Sequence, residues 1–276
     1  MTTPFASADL FKSYCGITAT TDDTLIGLLL VRATETIQQY CRRDLTSTSY
    51  REQVNGDGTN IIMLKQYPII AVELLALSKT SGLAVKNTST DAYRATVKVT
   101  DTTFVLKVYG GTNAGTSTLT LASYATMTLL KTAIEALAKG WSVELYTEYT
   151  VWSPTELLPI MEKDCLDTYA YACLPEEGED DYEVRDGQGI IYAQSEIGAG
   201  VNNIIVKYTA GYATIPAGVE QACIEFAKYM YDQRKITSGM QSERIGDYSY
   251  TIPMFTIEYM QPFARIISYL APYVKL

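Results

Sequence analysis

The sequence predicts an α+β protein: a mainly helical core, built of a helix bundle and a β-hairpin, that carries a small inserted α+β domain. Residues 203–234 combine an alternating apolar run, a glycine and a long amphipathic stretch, which is typical of a strand, a tight corner and a helix. Residues 22–42 show a second amphipathic helical pattern. Residues 79–124 are instead rich in Thr, Ser, Ala and Gly and alternate with period two, which indicates strands of a separate unit.

Two helices are predicted at the amino-terminal end. Asp9–Cys15 has the pattern of a short helix that ends at Gly16, a residue typical of helix carboxyl termini. The longer helix over residues 22–42 begins at Thr and Asp cap candidates and ends at two arginines, whose charge suits the helix dipole.

A β-hairpin is predicted next. Its strands are Ser49–Val54 and Ile61–Leu64, and Asn55–Gly58 is the turn, because Asn and Gly tolerate positive φ. Ile69–Leu77 is a third strand-like run that begins after Pro68, a position compatible with the start of a strand.

Residues 79–185 are predicted to form an α+β unit with its own core, because strands and one helix can pack as two layers. The predicted elements are strands at Arg94–Val99, Phe104–Tyr109 and Ser117–Leu121, a helix at Thr126–Lys139 that stops at Gly140, and a strand at Val143–Tyr149. Pro154–Leu174 fits neither a helix nor a strand pattern.

Residues 186–276 again show strand and helix patterns of the kind found in residues 1–78. A strand at Ile190–Tyr192 is followed by a strand over residues 203–209 and by the corner at Gly211. Pro216 suits the first turn of the next helix, because its missing N–H would be unpaired there. That helix has an apolar stripe made of Val219, Ala222, Cys223, Phe226, Met230 and Tyr231.

The carboxyl-terminal segment ends in another amphipathic helix. Residues 235–239 are predicted to be a loop, and residues 245–250 to be extended. Phe263–Leu270 is predicted to be helical with one apolar face, and Ala271–Leu276 to be an apolar tip without helix.

Composition excludes several classes of site. The chain has no histidine, which excludes Ser-His-Asp and Cys-His centres and zinc sites with histidine ligands. The five cysteines are odd in number and lack paired spacing, which favours free thiols, and Cys41 and Cys223 are expected to be buried. No stretch approaches the roughly 20 apolar residues that span a bilayer, and no signal peptide pattern is present.

The net charge of −9 has the wrong sign for holding a DNA backbone, which is bound through Lys and Arg. The charge is concentrated in the middle of the chain. Residues 1–78 carry −2, residues 79–184 carry −7, and residues 185–276 are neutral overall.

The order of several segments resembles the head-tail connector (head-completion adaptor) proteins of long-tailed bacteriophages. The matching segments are DLFKSY (9–14), the helix ending YCRR (40–43), YREQVNGDGTNIIMLKQYPIIAVELLAL (50–77), GQGIIY (187–192), YTAGYATIPAGVEQACIEFAKYMYDQR (208–234) and ARIISYLAPY (264–273). Their fixed order is more specific than any one segment. Where that family has a short connection, this chain has about 105 residues. We therefore interpret residues 1–78 and 186–276 as a discontinuous connector core, and 79–185 as an insertion displayed on the outside.

The resemblance implies a non-enzymatic virion protein that forms a dodecameric ring on the portal protein, extends the DNA channel and provides a platform for the tail. It implies tail or stopper (neck) proteins as further partners, genomic DNA that passes through without specific binding, and no membrane, metal or cofactor. The implied location is the virion neck, between capsid and tail, with the host cytoplasm as the site of assembly. The 22 tyrosines suit a chain with large protein interfaces.

Two groups of contact residues are predicted. The group that contacts the portal or a neighbouring subunit is Phe263, Ile266, Ile267, Leu270, Tyr273, Val274 and Leu276. The alternative, that this segment packs on its own helix bundle, stays open. A loop contact is predicted at Arg244, Tyr248 and Tyr250, with a plain loop as the alternative.

Other functions are weighed as alternatives. The insertion, with Trp141 and Trp152, suits a module that binds carbohydrate or another virion protein. An acidic hydrolase would use the pair Glu144 and Glu148 or the pair Glu156 and Glu162, but acid pairs are common in an acidic chain. The acidic run of Glu176, Glu177, Glu179, Asp180 and Asp181 lacks a Ca²⁺-loop pattern, so a solvated loop is favoured. Gly110–Gly115 lacks the Lys-Ser/Thr ending of a phosphate loop, so a hairpin turn is favoured.

Overall fold

The computed structural model describes residues 3–176, 178–234, 242–245, 248–251 and 257–275. The helices are α1 (Ala8–Cys15), α2 (Asp23–Cys41), α3 (Met127–Glu135), α4 (Ala217–Gln233) and α5 (Ile257–Leu270). The strands are β1 (Thr48–Gly56), β2 (Ile61–Met63), β3 (Ile69–Ala76), β4 (Lys79–Asn87), β5 (Arg94–Val99), β6 (Thr103–Tyr109), β7 (Gly115–Thr120), β8 (Trp141–Leu145), β9 (Ile160–Asp164), β10 (Ala170–Pro175), β11 (Tyr182–Arg185), β12 (Ile190–Ala193), β13 (Gly200–Ala210), β14 (Ser242–Ile245) and β15 (Tyr248–Thr251).

A three-stranded antiparallel sheet joins the two ends of the chain. Its order is β1-β13-β3, so the strand predicted from the alternating run lies at its centre. Ile204, Val206 and Tyr208 face one apolar cluster, and Ile205 faces another on the opposite side of the sheet. Because β13 is buried on both faces, it fixes residues 48–76 against the carboxyl-terminal half.

The predicted hairpin is wrong in its pairing, although both of its strands exist. The described strands β1 and β2 do not pair with each other: β1 pairs with β13, and β2 pairs with β12 in a sheet of order β11-β12-β2. The segment between them is longer than a two-residue turn. It is folded locally by Asp57, whose Oδ1 accepts hydrogen bonds from the Thr59 amide (2.9 Å) and hydroxyl (2.6 Å). The chain therefore crosses from one sheet to the next.

Four helices form a layer with its own apolar cluster. α2 and α4 contact each other, and α1 and α5 pack against this pair. The predicted apolar stripe of α4 is confirmed in part, since Val219, Ala222, Cys223 and Tyr231 are buried while Phe226 and Met230 are half-buried. The α+β class is confirmed, but the expectation of a mainly helical core is wrong, because whole sheets lie beside the helices. No helix among the described residues is long and apolar enough to cross a membrane.

Residues 83–174 build a separate apolar cluster. Sheets of order β10-β4-β8 and β7-β6-β5-β9 enclose it together with α3, and Phe104, Leu106 and Trp141 are among its buried side chains. The sequence patterns did not predict β4, β9 or β10, and α3 is shorter than predicted. The Gly110–Gly115 loop joins two antiparallel strands, which confirms the hairpin-turn interpretation.

Arg51 connects this cluster to the central sheet. Its guanidinium donates to the carbonyl oxygens of Thr155 (2.9 Å) and Leu157 (2.8 Å), and its side chain is largely buried. Leu158 follows directly and packs against Ala76 and Ile205 on the second face of the central sheet. The two parts of the chain are therefore joined by packed side chains as well as by the polypeptide.

Replacing Arg51 with methionine is expected to lower the free energy of unfolding by about 1–3 kcal/mol, because two carbonyl groups lose their donor. Hydrogen exchange at the Leu157 and Leu158 amides should accelerate. Arg32→Met is the matched control, since Arg32 is exposed on α2. Equal stability of both variants would contradict this role of Arg51.

Two sets of hydrogen-bonded side chains lie at the central sheet, one around the buried Tyr208 and one around the half-buried Tyr50. The Tyr208 hydroxyl donates to Glu52 (2.6 Å) and accepts from the Gln66 amide (3.2 Å), and the Tyr50 hydroxyl donates to Asp44 (2.9 Å). Burial, followed by the bond to Asp44, raises the pKa of Tyr50 to about 12. Burial and the bond to Glu52 raise the pKa of Tyr208 in the same direction.

Stability is therefore expected to fall in alkaline solution. The unfolded chain releases the Tyr50 proton near pH 10, the ordinary pKa of tyrosine, whereas the folded chain holds it to about pH 12. The contribution is complete below about pH 10 and is lost as the pH rises toward 12. Urea unfolding across this range should show a steeper decline for the wild type than for Tyr50→Phe. Parallel declines would contradict it.

Candidate assembly interface

The predicted contact helix α5 packs one of its faces onto the rest of the helical layer. Ile266 and Leu270 retain only 5% and 3% of their surface exposure. Phe263 is half-buried, and its ring makes edge contacts with Tyr229 (4.7 Å between centroids) and Phe226 (6.2 Å). This face of α5 is therefore part of the protein's own core.

An apolar groove runs along the edge of this packed face. It is a cavity of about 180 Å³ between α2, α4 and α5, lined by Thr36, Ile37, Tyr40, Phe226, Phe263, Ile266, Ile267 and Leu270. Tyr40 and Ile267 stand at its rim with 42% and 46% of their surface exposed. Neighbouring exposed aromatic and aliphatic side chains of this kind are typical of protein contact sites.

An ion pair fixes α5 against α4. The Arg265 Nε lies 2.9 Å from a carboxylate oxygen of Glu225, and the other oxygen accepts from Gln221 at 2.9 Å. Glu225 is buried, while Arg265 remains exposed. The hydrogen bond to Glu225 raises the pKa of Arg265.

The carboxyl-terminal tip lies along the end of α2. Arg43 donates to the carbonyl oxygens of Tyr273 and Tyr67, both at 2.8 Å, and stacks 4.1 Å from the Tyr67 ring. The Lys275 amide donates to the Cys41 carbonyl oxygen at 3.0 Å. Ala271–Tyr273 forms a 3₁₀ turn, so the expectation of a tip without helix is wrong for these residues. The role of Arg43 was missed, because the sequence marks it only as a charge at a helix end.

The structure separates the predicted contact residues into groups. Ile266 and Leu270 lie in the core, whereas Ile267 is exposed. Phe263, Tyr273 and Val274 are half-buried, and Leu276 lies outside the described residues. In the monomer this segment therefore packs on its own helix bundle, as the alternative to a contact site predicted. Contact with a portal or a neighbouring subunit stays a prediction. Tyr40 was missed as a rim residue, although the amphipathic pattern of α2 contains it.

The predicted loop contacts fall on two short paired strands. Arg244 lies on β14, opposite Ser249, while Tyr248 and Tyr250 lie on β15. Their backbone is extended, but their side chains lie outside the described part of the chain, as does the predicted loop at residues 235–239.

The other candidate sites have structural partners. Glu144 accepts from the Tyr169 hydroxyl (2.5 Å), Glu156 pairs with Lys207, and Glu162 accepts from the Tyr109 hydroxyl (2.8 Å). In the described ranges, no three Asp, Glu or Cys side chains are arranged to hold a metal ion. Glu177, within the acidic run, lies outside those ranges. Cys41 and Cys223 are buried, as predicted.

Comparison with known proteins gives a family match and matches to solved structures. Residues 7–104 match the family described as phage gp6-like head-tail connector protein, so the match includes the first 26 residues of the predicted insertion. No curated protein matches the chain. A chain from a structure titled "Neck of empty GTA particle computed with C6 symmetry" aligns over 100% of this chain and 93% of its own length, with 11% identity and a TM-score of 0.40, too low to indicate a shared fold. The family match confirms the resemblance read from the sequence: over residues 7–104, this chain is similar to the head-tail connector proteins of phages.

Proposed function

We propose that this protein is a structural component of a phage virion, a head-tail connector that sits in the neck between capsid and tail. The observation that carries the proposal is the match of residues 7–104 to the head-tail connector family. In this role the chain forms a ring on the portal protein, extends the DNA channel and presents a platform for tail or neck proteins. A ring of twelve subunits is the number expected from the family.

The helical layer supplies the contact surface in this proposal. The groove between α2, α4 and α5 has exposed apolar side chains at its rim, and burying them against a portal or a neighbouring subunit would remove them from water. A closed ring needs two different surfaces on each subunit that fit each other. The acidic net charge suits a channel that passes DNA without retaining it.

We also propose that residues 1–78 and 186–276 form the connector core and that residues 79–185 are an insertion on its outer side. Two features support this division. The strands β1, β13 and β3 pair the two ends of the chain, and the apolar cluster of residues 83–174 is distinct from theirs. No enzymatic role is assigned. Of the four carboxylates considered for one, Glu144, Glu156 and Glu162 are engaged by tyrosine or lysine side chains.

Native mass spectrometry of the protein, alone and mixed with its portal, tests the assembly. The expected result is a complex of the portal with a fixed multiple of subunits. A protein that stays monomeric with the portal present would overturn the proposal. Deleting residues 263–276 is a less sharp test, because it also removes the buried Ile266 and Leu270.

A further inference from the structure

A cavity of about 600 Å³ lies where the chain passes between its two main apolar clusters. Its walls come from the β3–β4 connection, the segment after β8 and the segment after β10, and include Ser78 and Pro175. Backbone hydrogen bonds fix them: the Glu176 amide donates to the Ser78 carbonyl oxygen (3.1 Å), and the Glu179 amide donates to that of Leu75 (2.6 Å). The cavity is therefore framed by paired backbone from distant parts of the sequence.

Two aromatic rings form one wall. The centroids of Tyr149 and Trp152 are 5.3 Å apart, with their planes at 87°. The segment that carries them is held to the start of α3, since the Trp152 carbonyl oxygen accepts from the Met127 amide at 2.8 Å. Trp152 keeps 39% of its surface exposed. Perpendicular rings offer a π face and a ring edge to the same space, an arrangement that suits organic cations.

Three carboxylates also line the cavity. Glu148, Glu176 and Glu179 contribute to it, and the described lining residues include no lysine or arginine. Ionised carboxylates only accept hydrogen bonds, so the cavity favours a ligand that donates them and carries positive charge. Within the described part of the chain these carboxylates do not converge as a set of metal ligands.

We propose that this cavity binds an alkylammonium group, carried by a lysine side chain of a partner protein or by a free polyamine. The aliphatic stem would lie against Tyr149 and Trp152, and the ammonium would face the carboxylates. A neutral sugar would leave the carboxylate charges uncompensated. This assignment goes beyond the connector role and does not depend on ring formation.

Fluorine NMR of the full chain labelled with 5-fluorotryptophan tests it, because the chain has only two tryptophans. Trp141 is buried in the core of the insertion, and the signal that disappears in Trp152→Leu identifies Trp152. Titration with the N-acetyl methylamide of lysine, or with spermidine, should shift the Trp152 signal in a saturable way and leave that of Trp141 in place. Tighter binding of the lysine derivative would indicate a lysine of a partner protein, and tighter binding of spermidine would indicate a free polyamine.

Variants and neutral ligands complete the test. Glu148→Gln combined with Glu179→Gln should weaken binding about tenfold or more, since two charges that face the ammonium are removed. Glu196→Gln, at an exposed acid in the β12–β13 loop, should leave it unchanged. The proposal is overturned if neither amine gives a saturable shift, if N-acetylnorleucine methylamide or glucose binds equally well, or if the double variant binds like the wild type.

Discussion

Ile267→Asp is expected to leave the protein folded and to weaken its binding to the portal about a hundredfold, the loss typical of a central interface residue. Ile267 is 46% exposed at the rim of the groove, so the change costs the monomer little. In the assembled ring, the same carboxylate would be buried against apolar side chains, which is strongly unfavourable. Binding is measured by surface plasmon resonance on immobilised portal, and folding by thermal melting.

Ser268→Asp is the matched control for this prediction. Ser268 is also exposed, on the next residue of α5, and receives the same charge, but it does not line the groove. Its binding should stay near the wild-type level. Leu270→Ala should behave in the opposite way from Ile267→Asp, with a loss of about 2–5 kcal/mol in the free energy of unfolding, because Leu270 is buried. Wild-type binding by Ile267→Asp would show that the groove is not the contact surface.

Gly211→Ala is expected to lower the free energy of unfolding by about 4 kcal/mol or more. Gly211 has φ of +108°, a region that side chains other than glycine rarely adopt. An added Cβ would lie 2.3 Å from the carbonyl oxygen of Thr46 and 2.6 Å from its carbon. These atoms cannot move aside easily, because the Tyr212 amide donates to the Leu45 carbonyl oxygen next to them at 2.9 Å. Urea unfolding followed by circular dichroism measures the loss.

Gly27→Ala provides the comparison for the same chemical change. Gly27 lies within α2, and an added Cβ there would meet no atom within 4 Å. Alanine favours a helix over glycine, so this variant should gain about 0.5–1 kcal/mol. If Gly211→Ala unfolds within about 1 kcal/mol of the wild type, the corner after β13 is not the steric constraint that the structure indicates.

Local patterns in the sequence predicted individual elements well but predicted their partners less well. The β5 strand and the α2 helix follow from periodicity alone, and the glycine corner at Gly211 follows from a break in that periodicity. The pairing of β1 with β13 involves residues 150 or more positions apart for most of its length, such as Tyr50 and Tyr208, so no turn signal near β1 could indicate it. The Asn55–Gly58 signal instead suggested a local partner.

The candidate site shows the same division between what is local and what depends on packing. Amphipathic spacing predicted an apolar face on α5, and Ile266 and Ile267 both belong to it. The packing of α5 on the other helices decides which of these two side chains is buried. Ile266 is buried and Ile267 is exposed, although they are neighbours on one helix. The cavity beside Trp152 had no sequence signal as a unit, because three distant segments build it.

Electron microscopy of this protein mixed with its portal tests most directly whether the chain is a connector. The account predicts class averages with a second ring stacked coaxially on the portal and an open axial channel through both. It predicts that the α2–α4–α5 layer lies at a subunit or portal contact, with the cluster of residues 83–174 on the outside. Particles of bare portal beside free monomer, with no added ring, would contradict it.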